Sequence, residues 1–219
     1  MHHLSCYALQ TLYSTPLELI FMDIWAPSFV NDSNGCRYYI TFLDIFSKFT
    51  WIYLIQNKSQ VVFKRFKTFV ENQTGCKIRS VQYDNAKEFL AFTSCFTEHD
   101  IHHRLICHHT HQQNGSIERK HRHITESGLA LLVGSLLPLT FWGEAFVLFV
   151  HIINVLPALV LQNLSPYEIL FKKKPDYNFY KVFGCACYSL LRPYHSKKFN
   201  FHSSLCLFLG YSFNYKGYI

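Results

Sequence analysis

"LELIFMDIW", residues 17–25, is a short apolar run broken by Glu18 and Asp23 and bounded by Pro16 and Pro27. It reads as a β-strand buried on both faces. Asp23 then sits inside that strand, where an ionised carboxylate is costly without a partner. Three explanations stand open: an Arg or Lys partner elsewhere, a strand that ends before Asp23 and leaves it exposed, or a cation shared with other acids. Downstream, "CRYYITFLDIF" (36–46) and "FTWIYLIQ" (49–56) are rich in β-branched and aromatic residues and separated by a Ser-Lys turn, so they predict two antiparallel strands in hairpin succession.

The period then changes. Val61, Val62, Phe66, Phe69 and Val70 recur at helical spacing after Ser59, a candidate N-cap, and Gly75 closes the helix. "KIRSVQYD" (77–84) predicts a further strand ending at Asp84, followed by "NAKEF", a loop leading into a short helix or turn. A brief strand near 102–107 precedes a Gln/Asn/Gly loop and a long helix beginning near Ser116. Three strands, a helix, then alternating strands and helices predict an α/β domain, a mixed sheet with helices packed on it. Past Pro175, "KVFGCACYSLL" and "SSLCLFLGYSF" flank a basic loop, "RPYHSKKF", and predict part of a small β module. The expected organisation is an N-terminal segment 1–16, a core over 17–175 and a partial C-terminal β module over 176–219.

The chain has 219 residues, enough for one good-sized domain, and a formal charge of +7 with its thirteen His counted neutral. That balance favours a polyanionic partner such as nucleic acid. Eight Cys are scattered without a C-x-x-C pair, so neither a zinc ribbon nor a thioredoxin-like site is indicated. No basic segment followed by a sustained apolar one opens the chain, and an intracellular protein is expected. "AFVLFVHIINVLPALVL" (145–161) lacks Asp, Glu, Lys and Arg, yet it is short for a span and carries His151, Asn154 and Pro157. It suits a core helix ending near the Pro better than a span, and an exposed apolar helix is the other expectation, with no membrane partner. The cluster His99, His102, His103, His108, His109 and His111 fits no four-ligand zinc framework.

One further stretch carries chemistry. "HQQNGSIERKHRHI" (111–124) sets a lone acid, Glu118, into a run of Arg119, Lys120, His121, Arg122 and His123. An i,i+4 ion pair with Arg122 would explain it at about 0.2–0.5 kcal/mol. The alternative joins Glu118, at a helix start, to Asp23 in a strand and Asp84 at a strand end, a set of hard oxygen ligands suited to Mg²⁺ or Mn²⁺.

These blocks, together with "LPLTFWGEAF", "SPYEILFKKKPDY", "VFGCACY" and "FLGYSFNYKGY", resemble in order the integrase catalytic core of copia-type long-terminal-repeat retrotransposons. That family is a branch of the retroviral integrase superfamily with an RNase H-like fold, and the resemblance runs from about Leu17 onward. It implies that Asp23, Asp84 and Glu118 are the catalytic acids and the ligands of two Mg²⁺ or Mn²⁺ ions, with Asp23 bridging both. It implies 3′-end processing and strand transfer of the element's DNA by in-line phosphoryl displacement, first by water and then by the new 3′-hydroxyl. Donor and target DNA are the implied partners, contacted by Gln112, Gln113, Asn114, Arg119, Lys120 and Arg122, with Arg122 on the face of Glu118. A homo-oligomer acting in the nucleus is the expected working form. Ala26 and Ala86 stand where the family commonly has Gly, His108 and His111 where it has Pro and Ser, and Val155 where it has Arg. With the zinc module that precedes the core in relatives not recognisable, these departures predict a fragment of a longer polyprotein or a decayed copy. A non-catalytic nucleic-acid-binding remnant of the same fold is the competing expectation, and a membrane-associated product of the 145–161 stretch a second.

Overall fold

A computed structural model describes residues 13–25, 27–57, 61–84, 90–105, 115–191, 201–211 and 217–219. Five strands form one mixed sheet: β1 (Ile20–Trp25), β2 (Tyr38–Asp44), β3 (Thr50–Ile55), β4 (Ser80–Tyr83) and β5 (His102–Leu105), in the order β3-β2-β1-β4-β5. The hairpin succession gives antiparallel pairing of β1 with β2 and of β2 with β3. The strands that follow helices pair in parallel, β1 with β4 and β4 with β5, because a helical crossover returns the chain to the end at which it started.

The alternation within β1 sorts its side chains between two layers. Ile20, Met22 and Ile24 face α1 (Val61–Thr74) and α2 (Leu90–Glu98), packing with Phe63, Phe66, Val70, Phe92 and Phe96. Phe66 stacks on Phe42 of β2 with ring centroids 3.9 Å apart and planes 2° from parallel. The odd-numbered residues face the other layer, formed by α3 (Gly115–Ser135) and α4 (Trp142–Val155): Phe21 packs with Ile117, and Trp25 joins the cluster of Tyr39, Ile124, Trp142 and Phe146. Helices on both faces of a mixed sheet are the α/β architecture expected of the sequence.

Local chemistry sets several boundaries. Asp44, fully buried at the end of β2, accepts hydrogen bonds from Ser47 N–H (2.9 Å), Ser47 Oγ (2.6 Å) and Leu17 N–H (3.1 Å), which fixes the Ser-Lys turn. Burial nevertheless pushes its carboxyl above the usual range. Gly75 ends α1 at φ +69°. α5 (Pro166–Phe171) starts with a capping box between Ser165 and Glu168 and Pro at its first position. β6 (Ala186–Leu190) and β7 (Ser203–Leu207) form a separate antiparallel pair, joined to the second layer through Phe183 and Phe208.

Two expectations need correction. β1 is fully buried only over Ile20–Met22; from Asp23 to Trp25 it is half-buried, because the sheet reaches its solvent-facing end there. The apolar helix is not exposed either: Ala145, Phe146, Leu148, Val150 and Val155 of α4 are buried against α3 and β3. Exposure belongs instead to the segment after it, where Leu159 and Val160 are 87% and 78% exposed. No helix among the described residues is long and apolar enough to cross a membrane.

Candidate active site

Asp23 lies on the face of β1 that looks toward α3. Its Oδ1 accepts a hydrogen bond from the next backbone N–H, that of Ile24, at 2.9 Å. Its Oδ2 lies 3.3 Å from Nε2 of His121, a buried residue of α3. The strand therefore neither stops short of Asp23 nor supplies it with an Arg or Lys partner among the described residues. Thr41, opposite Asp23 on β2, is fully buried, and its hydroxyl has no hydrogen-bond partner among the described residues.

The parallel register of β1 and β4 pairs Ile20 with Val81 and Phe21 with Gln82. Continued by two residues, it brings Asp23 level with Asp84, one residue past the end of β4. Neighbouring strands run about 4.8 Å apart, and paired positions share a face. Asp84 is half-buried.

Glu118 is exposed in the first turn of α3, three residues before His121. At about 100° per residue it stands roughly 60° around the helix from His121 and one turn nearer the N-terminus, at the rim of the buried stripe Ile117, His121, Ile124, Gly128 and Leu132. Glu118 and Arg122 form no ion pair, so the bland explanation for the lone acid is not realised. All three acids thus belong to the same end of β1, β4 and α3, on one face of the sheet.

The surrounding cations divide by exposure. Arg119 and Arg122 are exposed, and Arg119 reaches back to Ser116 Oγ at 3.5 Å. Lys120 is half-buried, and burial, then the nearby Lys48, push its ammonium below the usual range. Burial, then Lys120, likewise lowers His123, whose ring meets the edge of Phe149 at 4.9 Å, while Glu126 opposes the shift. Gln112, Gln113 and Asn114 lie outside the described residues, as do Ala26, Ala86, His108, His109 and His111. Val155 is buried at the end of α4, where its carbonyl accepts the Tyr177 hydroxyl at 3.0 Å.

Sequence reasoning missed two residues. His121 read as one more member of a basic run, yet it lies on the buried stripe of α3 and touches Asp23. Tyr39, fully buried on β2, meets His121 Nδ1 through its hydroxyl at 3.0 Å. The 3.6-residue period from Ile117 was the available signal for the first; the second needed the strand register. Among the histidines weighed for zinc, His99 has ligand atoms within 4.8 Å of those of Cys95 and Glu98, and Glu98 is engaged by Lys64 Nζ at 3.3 Å. A cavity of about 530 Å³, lined by Lys67, Lys77, Arg79 and His102 among others, lies at the opposite end of β4 from Asp84.

Comparison with known proteins adds to this geometry. A family described as Integrase core domain matches residues 14–111, which include Asp23 and Asp84 but not Glu118, and one described as Retroviral polymerase SH3-like domain matches residues 185–219. The chain is 43% identical over 216 residues to the retrovirus-related Pol polyprotein from transposon RE1 of Arabidopsis thaliana, covering 97% of this chain and 15% of that protein. It is 32% identical over 206 residues to the Pol polyprotein from transposon TNT 1-94 of Nicotiana tabacum, covering 92% of this chain and 16% of the relative. The chain therefore spans about one sixth of the length of these relatives. In three dimensions it resembles the HTLV-2 integrase catalytic core domain, a trimeric form in complex with magnesium, with a TM-score of 0.53 at 17% identity over 71% of this chain and 97% of that one.

Proposed function

The chain belongs to the integrase-core family of copia-type retrotransposon polyproteins, and on that premise we propose that it carries the phosphoryl-transfer site of DNA integration, acting in 3′-end processing and strand transfer. The observation that supports this reading best is the common placement of Asp23, Asp84 and Glu118 at one end of β1, β4 and α3.

The donor set fits a hard divalent cation. It offers three carboxylates, and beside Asp23 the buried hydroxyl Thr41 Oγ1 lacks a hydrogen-bond partner among the described residues. Asp23, Asp84 and Glu118 would hold two Mg²⁺ or Mn²⁺ ions, which when bound supply Lewis acidity toward the attacking and leaving oxygens of a phosphodiester. The protein's own part is positioning. Asp23 is fixed by a strand, Asp84 by the strand end beside it, and Glu118 by the first turn of a helix whose apolar stripe is locked on the sheet. Arg119 and Arg122, exposed beyond Glu118, would meet backbone phosphates of donor or target DNA, and Lys120 would add positive charge behind them. Gln112, Gln113 and Asn114 would complete the DNA contacts from the preceding loop. Assembly as a homo-oligomer on paired DNA ends, in the nucleus, belongs to the same proposal.

A strand-transfer assay with Mn²⁺ and a short duplex carrying a recessed 3′ end tests it. The parent chain should yield joined products and Asp84→Asn none. Equal background in both would leave a nucleic-acid-binding remnant as the correct reading.

A further inference from the structure

We infer that His121 is a positioning residue for Asp23, held in place by Tyr39, and that this pair sets how tightly the carboxylate site takes a divalent cation; the inference rests on the site proposed above.

The hydrogen bonds and the neighbouring carboxylate together favour a proton on His121 Nε2. The Thr125 hydroxyl donates its single proton to the His121 carbonyl at 2.9 Å, so toward Tyr39 it can only accept. Tyr39 lies closer to His121 Nδ1, at 3.0 Å, than to Thr125 Oγ1, at 3.5 Å, which favours donation to the ring. The imidazole then carries its proton on Nε2. Were the ring doubly protonated, Nε2 would carry a proton as well. The remaining tautomer would set a nitrogen lone pair against the Asp23 carboxylate. An N–H therefore faces Asp23 Oδ2.

Neither ring can readily swing away. Tyr39 is stacked on Trp25 with centroids 5.2 Å apart and planes 15° from parallel, and it meets Phe146 edge-on at 5.8 Å. His121 packs against Tyr39 at 5.3 Å and is itself buried on α3. The 3.3 Å contact falls outside hydrogen-bond geometry, and Nε2 has no other partner among the described residues. A buried donor left in this state favours any rotation of Asp23 that closes the bond. With Oδ1 anchored to the Ile24 N–H, His121 restricts the carboxylate from its other side, as outer partners of ligating carboxylates do. A Lys at position 121 would also donate, but its charge would oppose a cation bound by Asp23; imidazole can supply the N–H without a fixed charge.

The test is Mn²⁺ binding to the whole chain without DNA, followed by the electron paramagnetic resonance of free Mn²⁺, with thermal unfolding as the check on folding. His121→Leu should weaken binding about 10- to 100-fold, the range for loss of an outer partner of a ligand. His121→Gln, whose amide places an N–H near the position of Nε2, should restore most of it. Tyr39→Phe, which keeps the stacked ring and removes the hydroxyl, should weaken binding by a smaller factor. Parent-like affinity in a folded His121→Leu, or His121→Gln as weak as Leu, overturns the inference. If His121→Leu does not fold, Tyr39→Phe decides, and unchanged affinity there overturns it. Asp23→Asn and Asp84→Asn separate the two levels: if neither weakens binding, the carboxylate site itself is wrong, whereas weakening in both with none in the His121 and Tyr39 variants sinks the positioning role alone.

Discussion

α3 contains two glycines for which elementary propensity makes the same forecast and the structure makes opposite ones. Replacing Gly by Ala inside a helix gains about 1 kcal/mol. At Gly134 a Cβ meets nothing within 4 Å, so Gly134→Ala should realise most of that gain. At Gly128 a Cβ would lie 2.2 Å from Cδ1 and 2.7 Å from Cε1 of Phe146, against an ordinary carbon contact of about 3.5–4.0 Å. Phe146 is 2% exposed and hemmed in by Trp142 at 5.3 Å, Tyr39 at 5.8 Å and Trp25 at 6.4 Å, so its ring has nowhere to turn. α3 and α4 must move apart by more than about 1 Å, and overpacking of that kind costs about 1–3 kcal/mol. Set against the propensity gain, Gly128→Ala should destabilise by up to about 2 kcal/mol. With a urea dependence of about 2 kcal/mol per molar, its unfolding midpoint should fall by up to about 1 M. The midpoint of Gly134→Ala should rise by about 0.3–0.5 M. A rise in both variants would show that α3 and α4 do not cross in contact at Gly128, and with that the seating of His121 against Asp23 would lose its support.

Asn154 of α4 accepts from Thr50 N–H at 2.9 Å and donates to Thr50 C=O at 2.7 Å, both buried. Asn154→Leu leaves two buried backbone groups unpaired and should lower stability by about 2–6 kcal/mol in chemical denaturation. Burial pushes the Glu71 carboxyl up, but bonds from Lys67 Nζ (3.0 Å), Ile78 N–H (3.1 Å) and Lys77 Nζ (3.1 Å) outweigh it and hold the group below its usual range. A depressed carboxylate stabilises the fold above its unfolded value of about 4.5 and loses that contribution as pH falls through its folded value. Urea midpoints measured from pH 6 down to pH 3 should therefore fall less steeply in Glu71→Gln than in the parent.

Much of the sheet is legible in the chain because alternation and turn chemistry act locally. The hairpin at 36–56 and the strand that runs up to Asp84 follow from side-chain type and spacing alone. α4 was only half legible, because its lack of charge reads as core, exposure or lipid alike while its partners are unknown. Tyr39, Ile52 and the apolar stripe of α3 cover it, and they lie far away in sequence. Asp23 was noticed because a buried acid is expensive wherever it occurs. Asp44 is more deeply buried than Asp23 and drew no notice, and it serves a turn, so burial by itself does not separate ligand from scaffold. The partnership of His121 with Tyr39 was illegible for the same long-range reason: it depends on a helix crossing two strands at a particular height, which no local pattern encodes.

The pairing of Asn154 with Thr50 bears on how copies of the chain avoid one another. β3 is an outer strand, and its unpaired backbone groups could template a strand from another molecule. The side-chain amide of Asn154 occupies both outward groups of Thr50, standing in for the neighbour that an aggregating chain would supply. The opposite margin, β5, is only four residues long and presents His102, His103 and Arg104, a short and basic rim that resists fibril-like stacking.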